Sequence, residues 1–248
     1  MTCMRFPLVL LAILALGLGS ATGAADDEVG ALTAGGNTVF LVLTDASATG
    51  LEKARALAKQ AQERTPNSAI VEMNRSDPAQ REAVAKYRVA GAPVPLVMVI
   101  ARNGLPVGAA RPAARDALGR LLSLVPSKGK AEYLKILHDK QIAMVVFSRA
   151  SMEERSPLFE QITALSATPN TNISTVLVDL DDKSERTFIA QWKIVPGKIK
   201  KPLVMMVNPK GQLLGQLEGA PTAAQMIELS KVKLLPCGCR EGECDGHG

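Results

Sequence analysis

The chain has 248 residues, 47% of them hydrophobic, 21% charged and 3% aromatic, with a formal net charge of +5. That balance excludes a disordered chain and calls for aliphatic cores built on Val, Leu, Ile, Ala and Met. The charge is mild, and the basic stretch Lys193, Lys198, Lys200 and Lys201 lacks the interleaved aromatics of a nucleic-acid platform, so it reads as a solvated loop and no nucleic-acid partner is expected.

Residues 1–25 read as a signal peptide: a basic start to Arg5, an apolar run from Pro7 to Gly19, then small residues up to Ala25. The apolar run is short for a spanning helix, which needs about 20 residues. Cleavage after Ala24 or Ala25 would remove Cys3 and leave 28 basic residues against 24 acidic. The alternative is an uncleaved N-terminal anchor. The leader places the mature chain in a secreted or periplasmic compartment, with no membrane association after cleavage.

Residues 26–37 are polar and Gly-rich and read as a flexible lead-in. A first domain, 38–126, opens on Val39–Leu43, a continuous apolar run typical of a strand buried on both faces. Leu51, Ala54, Leu57, Ala58 and Ala61 follow at helical spacing. Then come a strand at Ala69–Met73, a helix capped by Asp77-Pro78, a strand at Pro95–Ala101, a hairpin turn at Asn103-Gly104, a strand at Leu105–Ala109 and a helix at Ala114–Leu124. A linker helix, 127–140, leads to a second domain, 141–234. Its order is the same: strand Ile142–Phe147, a helix capped by Ser156-Pro157, strand Thr175–Leu180, helix Lys183–Trp192, strands Pro202–Val207 and Gln212–Leu217, and helix Thr222–Lys231.

The two halves share a phrase. Pro95-Leu96-Val97-Met98, with Gly104 and Gly108 beyond it, recurs as Pro202-Leu203-Val204-Met205 with Gly211 and Gly215. The interval is too long for a solenoid repeat of the usual 20–50 residues and marks a duplicated domain. Each half therefore reads βαβαββα: an α/β domain with a central mixed sheet flanked by helices. The first three strands, joined by helical crossovers, are expected to be parallel, and the fourth to pair as a hairpin.

Tyr87-Arg88-Val89-Ala90-Gly91 through Pro95–Val99 to Asn103-Gly104 resembles the cis-proline, third core strand and hairpin of the thioredoxin superfamily. Trp192-Lys193-Ile194 leading to Pro202, and Pro157–Ile162, carry the likeness in the second half. The resemblance implies two tandem thioredoxin-like domains, but the family's Cys-x-x-Cys is missing. The loops after the first strands read Thr44–Gly50 and Ser148–Glu153, without cysteine, and a serine hydroxyl cannot replace a thiolate in disulfide exchange. What the resemblance retains is a peptide-facing ledge, in which Val94 and Pro95, and Lys201 and Pro202, present backbone to an extended or unfolded polypeptide. The cis bond falls at Pro93 or Pro95, with spacing to the turn favouring Pro95. Pro95 and Pro202 can equally be simple strand terminators.

The remaining cysteines lie in a tail, 235–248: Cys237, Cys239 and Cys244, with His247. Three thiolates and an imidazole can complete a tetrahedral set for zinc or hold monovalent copper. Alternatively, Cys237 and Cys239 form a dithiol–disulfide couple, or the tail is inert with one incidental bridge. Among other candidates, His138 reads as a solvated residue, and Asp179, Asp181 and Asp182 as a strand end and helix cap. The sequence thus points to an exported, redox-silent binding or scaffold protein, against two alternatives: an oxidoreductase working through its tail, or a zinc or copper storage or delivery protein.

Overall fold

The computed structural model describes residues 25–169 and 171–234. The leader, apart from Ala25, and the Cys-rich tail lie outside them.

The first domain runs α1 (Ala25–Ala34), β1 (Thr38–Thr44), α2 (Leu51–Glu63), β2 (Ser68–Asn74), a 3-10 turn (Pro78–Gln80), α3 (Arg81–Lys86), β3 (Leu96–Ile100), β4 (Pro106–Ala110) and α4 (Ala117–Leu124). The second runs α5 (Lys128–His138), β5 (Ile142–Ser148), α6 (Arg155–Ser166), β6 (Ile173–Asp179), a 3-10 turn (Lys183–Glu185), α7 (Arg186–Gln191), a further 3-10 turn (Pro196–Lys198), β7 (Leu203–Val207), β8 (Leu213–Glu218) and α8 (Ala223–Ser230). The sheets have the orders β2-β1-β3-β4 and β6-β5-β7-β8. This is the thioredoxin-like arrangement, made twice.

β1 is buried along its whole length because it is covered on both faces. Val39, Leu41 and Leu43 join one core cluster; Phe40 and Val42 join the other, where Ala54, Leu57, Ala58 and Ala61 of α2 meet them. β5 repeats the pattern, with Ala143, Val145 and Phe147 on one side and Met144 and Val146 on the other. The alternation of a strand with period two thus feeds two aliphatic layers at once.

Three expectations need correction. β1 and β2 are parallel, but β3 runs antiparallel to β1, as β7 does to β5. The six residues of α3 span about 9 Å at 1.5 Å per residue, too little to carry the chain back along the seven-residue β2. The loop after α3 stays at the end where β2 exits, held there by Arg75, so β3 enters from that end. Next, residues 26–37 are not a loose lead-in: most of them form α1, whose Ala25 and Val29 are buried against the first core. Acids in its first turn, Asp26, Asp27 and Glu28, suit the positive end of the helix dipole.

Finally, the helix of 127–140 is the leading helix of the second domain, equivalent to α1. The same polar contact anchors both: Gln80 Oε1 accepts from Ala25 N–H at 2.8 Å, and Glu185 Oε1 accepts from Gly129 N–H at 2.8 Å. Each repeat is therefore αβαβαββα. A smaller adjustment concerns α6, which starts at Arg155, so that Ser156 is not its cap. Pro157 is therefore the third helical residue rather than the first, where a missing N–H still breaks no helical bond.

The hairpins keep their shared phrase. Gly104 and Gly211 adopt φ of +81° and +80°, the left-handed conformation that turn requires. Each hairpin also shifts register at the same place, between Val99 and Ile100 and between Met206 and Val207.

Candidate functional site

The Val94–Pro95 peptide bond is cis, whereas Lys201–Pro202 is trans. The spacing argument for Pro95 over Pro93 holds, and only the first domain carries this landmark among the described residues.

The loop Asp45–Gly50 stands across from Val94 and Pro95. Asp45 accepts from the Ser47 N–H and hydroxyl and from the Arg75 guanidinium at 2.7 Å. The Arg75 and Ser47 hydrogen bonds hold its carboxyl below the ordinary carboxylate range. Arg75 also donates to the Ala90 and Ala92 carbonyls, fixing the segment that leads to the cis bond. The end of β1, the end of β2 and the ledge are thus tied through one side chain.

Between them opens a cleft of about 800 Å³, lined by Thr49, Gly50, Lys53, Val94, Pro95 and the segment Arg111–Ala114, with Arg120 on α4. Lys53, Arg111 and Arg120 are exposed and have no acidic partner among the described residues. Gly50, at φ +83°, precedes α2 without a side-chain cap, and a Cβ there would meet nothing within 4 Å. Val94 N–H and Pro95 C=O likewise have no hydrogen-bond partner among the described residues. Pro112, beside them, has no N–H to offer.

The second domain closes the same place. Register equates Val94 with Lys201, Pro95 with Pro202 and Pro112 with Gly219. Gly219 N–H donates to Pro202 C=O at 2.8 Å. Lys201 Nζ meets Glu154 Oε1 at 2.8 Å, a contact that raises the lysine pKa. The Glu154 carboxylate also lies against Gly219, so near that a Cβ on that glycine would overlap it. The clefts left around Lys200 and Lys201 are about 350 and 270 Å³. The four ledge residues anticipated from sequence are therefore split: Val94 and Pro95 border an open cleft, while Lys201 and Pro202 are engaged within their own domain.

The sequence reading missed Lys53, Arg111 and Arg120. They lie on three separate elements, and only the fold brings them together. Elsewhere, Asp179 and Asp182 accept from the backbone N–H groups of Asp181 and Ser184, and Asp181 pairs with Arg149 at 3.3 Å; these are turn and cap roles. His138 is exposed. Among the described residues no group of three His, Cys, Asp or Glu is placed to hold a metal, and no helix is long and apolar enough to cross a membrane. The proposed ligands Cys237, Cys239, Cys244 and His247 lie outside those residues.

No family model matches the chain, and no curated protein matches it. Among solved structures, it is similar to the N-terminal NTD_N/C domain of the alkylhydroperoxide reductase AhpF from Enterococcus faecalis, at 12% identity and a TM-score of 0.29, over 82% of this chain and 96% of that one. The first two thioredoxin domains of Saccharomyces cerevisiae Eps1p match at 10% identity and a TM-score of 0.31, over 85% and 97% of the two chains. Human ERp44 matches at 9% identity and a TM-score of 0.35, over 84% of this chain but 57% of ERp44.

Proposed function

We propose that this is an exported, redox-silent tandem thioredoxin-like protein that binds extended polypeptide at the Val94–Pro95 ledge, in a chaperone-like or scaffold role. The observation that carries the reading is the pairing of an open backbone donor and acceptor, Val94 N–H and Pro95 C=O, with a cleft beside them. An extended segment can extend the sheet there by main-chain hydrogen bonds, as in other strand-addition modes. The facing loop, Asp45–Gly50, holds no thiol, so the ledge grips without exchanging disulfides.

Binding of a labelled, permanently unfolded polypeptide tests this. Val94→Pro, which removes the donor, and Pro95→Ala, which reshapes the ledge, should each weaken binding by about tenfold, or 1.4 kcal/mol. Substitution of Lys201 should change it little. Wild-type affinity in both ledge variants, with their circular dichroism intact, would sink the proposal. Disulfide exchange that vanishes in Cys237→Ser or Cys239→Ser would instead establish an enzyme, and stoichiometric zinc or copper lost on removal of residues 237–248 would establish a metal carrier.

A further inference from the structure

We propose that the first-domain cleft selects polypeptide segments bearing acidic side chains, each seated where Glu154 sits in the second domain. The inference rests on the polypeptide-binding reading above and names its class of ligand.

The duplication supplies the argument. In the second domain the ledge already has a carboxylate on it: Glu154, the residue just before α6, reaches Lys201 and lies against Gly219. The residue at that position in the first domain, just before α2, is Gly50, which has no side chain to reach the ledge. A second exchange reinforces the first. Glu218, at the end of β8, contributes negative charge near Lys201, and its register equivalent beyond β4 is Arg111. The first domain therefore has neither acid on its ledge and carries a cation in place of one.

Lys53 and Arg120 complete a cleft whose charged lining is wholly cationic. No carboxylate of the described residues lies within ion-pair distance of Lys53, Arg111 or Arg120, although Glu52 and Asp116 are near in sequence: Glu52 pairs with Arg55, and Asp116 accepts from Gly119 N–H. Among the described residues nothing neutralises the cleft, which leaves the complementary charge for the ligand to supply. A polypeptide fits better than a free anion, because the open backbone groups of Val94 and Pro95 lie on the same wall and recognise main chain.

The mature protein, titrated with labelled extended peptides identical except for Glu, Gln or Lys at alternate positions, provides the test. The Glu peptide should bind about tenfold more tightly than the Gln peptide at low salt. The Lys peptide should bind weakest, and the Glu advantage should shrink as salt is raised. Arg111→Gln with Arg120→Gln should abolish that advantage, so that the Glu and Gln peptides bind the variant equally. Equal affinity for Glu and Gln peptides would overturn the acidic preference and leave the ledge reading standing. Failure of every peptide to bind would overturn both. A Glu advantage that survives the arginine double variant and Lys53→Gln would place the selectivity elsewhere. A single-stranded oligonucleotide that displaces the Glu peptide more effectively than unlabelled peptide would mean that the cleft takes a polyphosphate, and the proposal would fall.

Discussion

The two domains share every strand pairing and differ in what they place on the same scaffold. On the face covered by the leading helix, the second domain gathers Tyr133, Phe147, Phe188 and Trp192, with ring centroids 5.5 to 5.9 Å apart in tilted or edge-on pairs. The equivalent first-domain residues are Val29, Leu43, Ala83 and Tyr87, all buried in one cluster. The arginine that pins the pre-proline segment has changed strands. Arg75 follows β2 in the first domain, whereas Arg149 follows β5 in the second, where it donates to the Pro196 and Ile199 carbonyls. Even the covering of the edge strand differs: Arg55 pairs with Glu72 in one copy, and Phe159 and Leu177 take those places in the other. The lesson is that strand pairing is the same in both copies while an open cleft beside the pre-proline segment is found in the first. The second domain is built as a packed support and the first as an open groove.

The largest effect should come from breaking the aromatic layer. Phe147→Ala removes a fully buried ring from the centre of that cluster and should cost about 3–5 kcal/mol. Trp192, the single tryptophan of the chain, reports it directly: its emission should shift at lower denaturant while peptide binding by the first domain persists. Loss of both together would mean that the domains unfold as one unit. Next in size is the anchor of the leading helices. Glu185 is buried and accepts from Ser127 Oγ at 2.6 Å and Gly129 N–H at 2.8 Å. Glu185→Ala leaves both donors unpaired and should cost about 2–3 kcal/mol. Gln80→Ala removes a single neutral contact and should cost about 1 kcal/mol. Equal losses in chemical denaturation would show that the two anchors are energetically alike.

Much of this was legible in the residues, and the rest was not for identifiable reasons. Buried strands announce themselves as apolar runs, and turn glycines as fixed punctuation, so Val39–Leu43 and Gly104 placed their elements directly. The cis-proline was legible because two landmarks flank it at set distances. α1 was missed although Ala25, Val29 and Leu32 recur at helical intervals, because Gly30, Gly35 and Gly36 made the segment look like a linker. The direction of β3 depends on where the chain is held after α3, which Arg75 decides from far along the sequence. The cationic cleft was invisible for the same reason: Lys53, Arg111 and Arg120 become neighbours only through sheet order.

Acid should separate the domains next. Asp26 is partly buried, which raises its pKa, but hydrogen bonds from Lys86 and Tyr87 outweigh that and leave it depressed; Asp45 is depressed by Arg75 and Ser47. Groups with lowered folded-state pKa stabilise fully above the unfolded value of about 3.9 and lose that contribution as pH falls through the folded value. In the first domain these two carboxylates fasten α1 and, through Arg75, the ledge. The depressed carboxylate of the second domain, Asp182, caps one turn and joins no distant elements. Amide exchange below about pH 4 should therefore accelerate first in α1 and around Ala90–Ala92. Simultaneous loss of protection in both domains, or earlier loss in the second, would contradict the assignment.

The smallest change in stability should accompany the most informative change in recognition. Glu154→Ala breaks an exposed ion pair with Lys201 and should alter stability by about 0–1 kcal/mol. It also removes the only side-chain carboxylate seen to touch the Lys201 ammonium among the described residues, leaving Glu218 as the acid near that cation. If charge alone closes the second ledge, the variant should take up a second equivalent of Glu peptide. The backbone argues for a weaker outcome: Gly219 N–H still occupies Pro202 C=O, so the strand-addition contact remains blocked. The expected result is a second site much weaker than the first, salt-sensitive and indifferent to peptide length. Two sites of equal strength would show that the open backbone at Val94 and Pro95 contributes little. No second site at all would place the control of access in the Gly219 hydrogen bond, and so in the exchange of that glycine for Pro112.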